Sequence, residues 1–188
     1  MQSYCSFARK QENHHKEHHD SEHGIPPRDD DDLFRRLMLE ISQAGLSFDT
    51  VLKKKAAIYK AFPSVKKVAR FSEKDIERLM QNPNIIRNRL KICAAIHNAR
   101  TIQLLQKKHG SFKAWLDRYH PLTKEEWVKL FKKQFTFVGG EILNEFLMST
   151  NYLPGAHDQD CPRNIPHNHS THTIHNNLID SCNGNSIR

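Results

Sequence analysis

The residues of this chain best suited to chemistry lie near its two ends. Cys5 and the run HHDSEHG at positions 18–24 face, far along the chain, His157 and Cys161. Two sulfur ligands and imidazoles are what a tetrahedral Zn2+ takes. The four-residue step from His157 to Cys161 puts both side chains on one face of a helix or turn. Their partners would be Cys5 and one of His14, His15, His18, His19 or His23, and the site would tie the ends of one domain together. A second feature is the connection from Pro83 to Lys91, which carries Arg87, Arg89 and Lys91. A hairpin between two helices binds DNA by aiming its backbone N–H groups, and those of the next helix's first turn, at a phosphate. Here Asn82, Asn84 and Asn88 stand where such turns favour glycine, and asparagine tolerates left-handed turns. An ordinary two-helix connection would read the same way. The third feature is Glu40, set among Leu37, Met38, Leu39 and Ile41. Two readings stay open for it: a solvent-facing helical glutamate, or a carboxylate in a pocket, accepting hydrogen bonds from an amino group or opposing a cation.

Helices must position these groups. Asp30 to Asp32 precede an apolar stripe at Leu33, Phe34, Leu37, Met38 and Ile41, which places acids at the positive end of a helix. Ala44, Gly45 and Ser47 form a turn that ends it, and Val51, Leu52, Tyr59 and Phe62 predict a second helix before Pro63. Ser72 with Asp75 resembles a capping box opening a third, through Ile76, Leu79 and Met80. After the break, a long helix is expected from about Asn88 to Lys108, closed by Gly110. Others follow at 111–119, at 123–135 with Thr123 and Glu126 as a second capping box, and at 140–149. No run of alternating strand residues interrupts them, so the fold class is all-α.

Composition bounds the partners. The chain has 188 residues, enough for one domain with a sizeable core, and its 37 % hydrophobic content falls short mainly at the ends. Residues 33–153 therefore read as packed helices between two weakly packed termini. The stretch after Cys161, polar and bearing Pro, Asn and four histidines, reads as disordered. The net charge of +8 is segregated: seven Lys or Arg and no acid lie between Lys53 and Arg70, seven more between Arg87 and Lys113, while acids crowd Glu17 to Asp32. Such separation suits a polyanion such as nucleic acid, although any single run is equally an ordinary solvated face. No stretch approaches the ~20 apolar residues of a membrane span, and a soluble, cytoplasmic protein is expected. The four cysteines suit thiols or metal ligands better than disulfides, and Cys93 and Cys182 have no assigned role.

Five segments, HHDSEHGIP, LMLEISQAGLSFDTVLKKKAAIYKAF, DIERLMQNPNIIRNRLKICAAIHNAR, FTFVGGEIL and HDQDC, resemble in order and spacing the 3-methyladenine DNA glycosylase I family, over nearly all of residues 1–161. LEISQAGLSFDTVLKK is the most specific of them. The resemblance implies a helix-hairpin-helix glycosylase fold in one domain, residues 1–161, followed by a tail at 162–188. It implies a structural zinc held by Cys5, His19, His157 and Cys161. It implies a monofunctional enzyme, expected to act as a monomer, that hydrolyses the N-glycosidic bond of N3-methyladenine in double-stranded DNA after the lesion flips into a pocket. Glu40 aligns with the family's pocket glutamate and Leu46 with the residue that fills the gap in the duplex. Because the methylated base is cationic, its bond is already weakened and recognition supplies much of the selectivity.

The departures fall on the pocket. Phe48 replaces the family's stacking tryptophan, His18 and His15 replace two tyrosines, and His23 replaces a second tryptophan. The segment before FTFVGG is also short, lacking a Ser/Thr-rich loop. A neutral His18 or His23 would hydrogen-bond the base where a ring once packed, and activity would fall as pH drops through about 6.5. Two alternatives are a catalytically inactive DNA-binding relative, and a metal-handling protein holding well above one zinc per chain.

Overall fold

The computed structural model describes residues 2–164. These form the helices α1 (Tyr4–Ala8), α2 (His14–Ser21), α3 (Asp30–Gln43), α4 (Phe48–Leu52), α5 (Lys55–Ala61), α6 (Val65–Val68), α7 (Glu73–Met80), α8 (Arg89–His109), α9 (Phe112–Tyr119), α10 (Lys124–Lys132) and α11 (Gly140–Ser149), with no strand among the described residues. The all-α expectation holds. Both capping boxes form: Asp75 accepts from the backbone N–H of Ser72, and Glu126 from that of Thr123. Asn88 caps α8 by accepting from the Lys91 N–H.

Two helices organise the rest. α3 packs against α4, α5, α8, α9 and α11, and α8 packs against α6, α7 and α9. Asp30, in the first turn of α3, also accepts hydrogen bonds from the Phe112 and Lys113 N–H groups and from Gln106, so one carboxylate serves the positive ends of two helices. An aromatic cluster of Phe112, Trp115, Trp127, Phe131, Phe135 and Phe146 fills the space among α9, α10 and α11. One contiguous apolar core runs from Leu33 to Tyr152.

Three sequence expectations are corrected. The predicted second helix is broken at Lys53–Lys54 into α4 and α5. Residues 1–32 are not weakly packed: Cys5, Ala8, His15, His18, His19 and His23 are all buried. Their packing is polar, which hydrophobic counting does not detect. Arg36 on α3, 4 % exposed, donates to the carbonyls of Glu22, Ile25 and Ser149 and pairs with Asp32, binding the N-terminal segment to α3 and α11. Gly24 completes the closure with φ +69°; a Cβ there would sit 2.7 Å from the His157 ring. Finally, residues 162–164 form a turn in which the Arg163 N–H donates to Cys161 Sγ. The remainder of the expected tail, 165–188 with Cys182, lies outside the described residues.

Candidate active site

Glu40 is buried, at 4 % exposure. It sits on the part of α3 where every residue from Arg36 to Ser42 is buried, so the helix has no polar face to which a glutamate could default. None of the described residues hydrogen-bonds its carboxyl. Burial, with Glu145 and Glu22 nearby, pushes its pKa up to about 8. The Tyr4 phenol is pushed up as well, by burial and then by the charge of Glu40.

Around Tyr4 the pocket walls assemble. Its ring lies 5.0 Å from that of His23, 5.4 Å from Phe48 and 6.0 Å from His15. Phe48 in turn meets His18 edge-on at 5.3 Å. The structure thus brings together Phe48, His15, His18 and His23 around Tyr4, with the Glu40 charge acting on the Tyr4 phenol. Sequence reasoning missed Tyr4, although its place beside Cys5 on α1 was a signal that it would be drawn in with the ligand. It also missed Glu22, whose carboxylate accepts from Tyr59 and pairs with Lys55 Nζ at 2.7 Å.

The imidazoles are not general-purpose bases. Burial holds His18 well below its usual range and His23 at about 3. The neutral form of both rings is thereby favoured, and a transition near 6.5 does not come from them. His18 Nε2 and His15 Nδ1 are buried with no hydrogen-bond partner among the described residues.

At the far side of the same wall lies the Cys/His group. The ligand atoms of Cys5, His19, His157 and Cys161 lie within 4.8 Å of one another. His19 Nε2 is 3.3 Å from Cys5 Sγ and 3.1 Å from His157 Nδ1, and Cys161 Sγ is 3.7 Å from both nitrogens. Edges of about 3.3–3.8 Å are those of a tetrahedron with metal–N and metal–S bonds of ordinary length. The outer contacts fit too. His19 Nδ1 lies 2.7 Å from an Asp20 oxygen and His157 Nε2 lies 2.7 Å from the His23 carbonyl. Each ring donates outward and turns a lone pair inward. Without a cation, burial and the neighbouring Cys161 help push the Cys5 thiol up to about 11. The group can hold a metal ion.

The residues expected on DNA divide. Leu46, 42 % exposed, stands at the tip of the turn after α3, where Gly45 takes φ +76°. Arg87 is exposed in the connection before α8. Arg89, half exposed, pairs with Glu73. Lys91 is corrected: it is 6 % exposed, and its Nζ donates to the carbonyls of Ser42 at 2.8 Å and Ala44 at 2.6 Å. It cannot reach a phosphate. It caps the end of α3 that leads into the Leu46 turn, and Lys54 Nζ adds a second tie, to the Pro83 carbonyl at 2.7 Å. We expect Lys91→Met, which keeps the stem but leaves two carbonyls without their donor, to cost about 1–3 kcal/mol of stability, read from chemical denaturation.

Among the described residues no helix is long and apolar enough to cross a membrane. The methyladenine glycosylase family model matches residues 8–137, a span that includes Glu40 and His19 but not the other three metal-ligand candidates. A Haemophilus influenzae DNA-3-methyladenine glycosylase is 34 % identical over 167 residues, covering 78 % of this chain and 90 % of that protein. The Escherichia coli DNA-3-methyladenine glycosylase 1 is 45 % identical over 98 residues, half of this chain and 52 % of its own length. Among solved structures, a variant of 3-methyladenine DNA glycosylase I in complex with 3-methyladenine superposes with a TM-score of 0.79 at 32 % identity, covering 88 % of this chain and 99 % of that one. The Staphylococcus aureus enzyme, described for its recognition of 3-methyladenine, does so with a TM-score of 0.77 at 31 % identity, over 88 % and 98 %. The likeness therefore extends beyond the matched core to the region where Tyr4, the histidines and Cys161 meet, and this chain belongs to the methyladenine glycosylase family.

Proposed function

We propose that this protein hydrolyses the N-glycosidic bond of N3-methyladenine and related alkylated purines in double-stranded DNA. The observation that carries the reading is Glu40: a buried carboxyl with no hydrogen-bond partner among the described residues, whose charge acts on Tyr4, itself packed with the rings of Phe48 and His23. A buried polar group left unpaired costs about 1–3 kcal/mol, and a flipped base with an amino group and positive charge would supply the partner. In the reaction the bond from the purine to C1′ breaks, its electron pair neutralises the departing base, and water adds at C1′ with loss of a proton. Glu40 holds the base, Phe48 and Tyr4 pack against it, and the unpartnered nitrogens of His18 and His15 offer hydrogen bonds, with His23 closing the wall. Leu46 fills the gap in the duplex and Arg87 meets the backbone. Arg89 would meet a phosphate only by leaving Glu73. The Cys5, His19, His157 and Cys161 group would hold a structural Zn2+, whose contribution is to fix α1 and α2 against the C-terminal turn. Residues 1–161 form the working unit, acting as a monofunctional monomer.

Release of free N3-methyladenine from methylated duplex DNA tests the reading; duplex binding without release would instead indicate an inactive relative. The pH dependence is a second check. Glu40 is raised to about 8, so the ionised form that attracts a cationic base is the minority below that pH. We expect kcat/KM to climb from pH 6 towards 8, by up to about tenfold per pH unit, and to level off above it. kcat should move less, because the bound cation pulls the Glu40 pKa down. A kcat/KM flat from pH 6 to 9 would remove Glu40 from that role.

A further inference from the structure

We propose that His14, His15 and Asp49 form a second metal site, for a divalent transition-metal cation of the zinc, cobalt or nickel class, beside the pocket wall. The three side chains come from two elements. His14 and His15 are the first residues of α2, after the Asn13 cap, and Asp49 is in the first turn of α4. Asp49 Oδ1 lies 2.9 Å from His14 Nε2 and 3.5 Å from His15 Nε2. The three ligand atoms all lie within 4.8 Å of one another, and the group shares no residue with the Cys/His cluster.

The donor chemistry selects the ion. Two imidazoles and one carboxylate suit borderline transition metals, whereas calcium and magnesium prefer all-oxygen sites. The 2.9 Å contact of His14 Nε2 with the Asp49 carboxylate needs an N–H on that nitrogen, so a cation would bind by displacing its proton. The imidazoles stand in the first turn of α2 with ring centroids 4.8 Å apart, and a shared cation would hold both against the carboxylate. Among the described residues Lys53 also pairs with this carboxylate, its Nζ 2.7 Å from Asp49 Oδ2, on the oxygen that the imidazoles do not share. Lys53 is 63 % exposed, so its pairing is weak and readily given up. Asp49 is 46 % and His14 24 % exposed, which provides a way in from solvent. Three protein ligands leave a position for water. A cation here would clamp α2 to α4 and so fix Phe48, the neighbour of Asp49, against His15.

The test is a Co2+ titration of the full-length chain after removal of metal, followed by absorbance. The tightly held equivalent gives thiolate-to-cobalt charge transfer from the Cys/His group. The second should add ligand-field bands without further charge transfer. Asp49→Asn and His14→Gln should each bind one equivalent fewer than the unaltered chain while retaining the charge-transfer band, which also reports that the N-terminal helices remain folded. Either variant binding as many equivalents as the unaltered chain would overturn the site. So would a second equivalent that is absent, or one that disappears only when His167, His169, His172 and His175 are changed to Gln.

Discussion

Glu40→Gln is expected to lower the release of N3-methyladenine from methylated duplex DNA by at least about a hundredfold, with duplex affinity and its dependence on salt unchanged. The substitution keeps the shape of the side chain and removes the charge that opposes a cationic base. The phosphate contacts proposed to set affinity and its salt slope would lie elsewhere, on exposed groups such as Arg87. The same change should stabilise the fold at alkaline pH. A carboxyl raised from 4.5 to about 8 destabilises the folded state once pH exceeds its unfolded value, and the penalty is complete above about 8. At about 1.4 kcal/mol for every tenfold change in the protonation equilibrium, the relief has an upper limit on the order of 5 kcal/mol. Thermal unfolding at pH 9 should therefore shift upward by several degrees in the variant, and at pH 4, where both states are protonated, it should not shift. Loss of release together with loss of duplex binding would show that Glu40 supports the fold rather than the reaction.

Removal of metal is the second large effect. Chelation, or Cys161→Ser, should lower the unfolding temperature by about 10 °C or more, given the stabilisation that structural zinc sites provide, and should abolish base release. The helical signal should fall only modestly, because the core from Leu33 to Tyr152 contains none of the four ligands. What is lost is the short α1 and α2, of 5 and 8 residues. Helices of that length do not stand alone in water. They carry Tyr4, His15 and His18, so the pocket opens when the tie is cut. Proteolysis at Arg9, Lys10 and Lys16, fast in the chelated protein and slow in the loaded one, would locate the loss. A chelated protein with unchanged stability and full activity would make the Cys/His group incidental.

The amino-acid sequence by itself determined the elements whose signals are local. The two capping boxes, the acids that open α3, the glycine that closes α8 and the apolar stripe of α3 each depend on neighbours within a few residues, and all were legible. The ligand group at the ends was legible because few other residue types serve a metal, although spacing alone could not choose among five histidines. Tertiary structure decided the rest. Glu40 lies on a helix buried on all sides, so periodicity carries no information about which way it faces. Lys91 reads as one more cation of a basic run, yet its ammonium lies against the end of α3, 49 positions away in sequence at Ser42. Tyr4 joins the pocket because α1 is tied to residues far along the chain, through Ser3 to Asp158 and Arg9 to Asp160 as well as through Cys5, and His14 meets Asp49 across 35 positions. A buried charge is held by whatever partner the fold delivers, and that partner lies outside the reach of any local pattern.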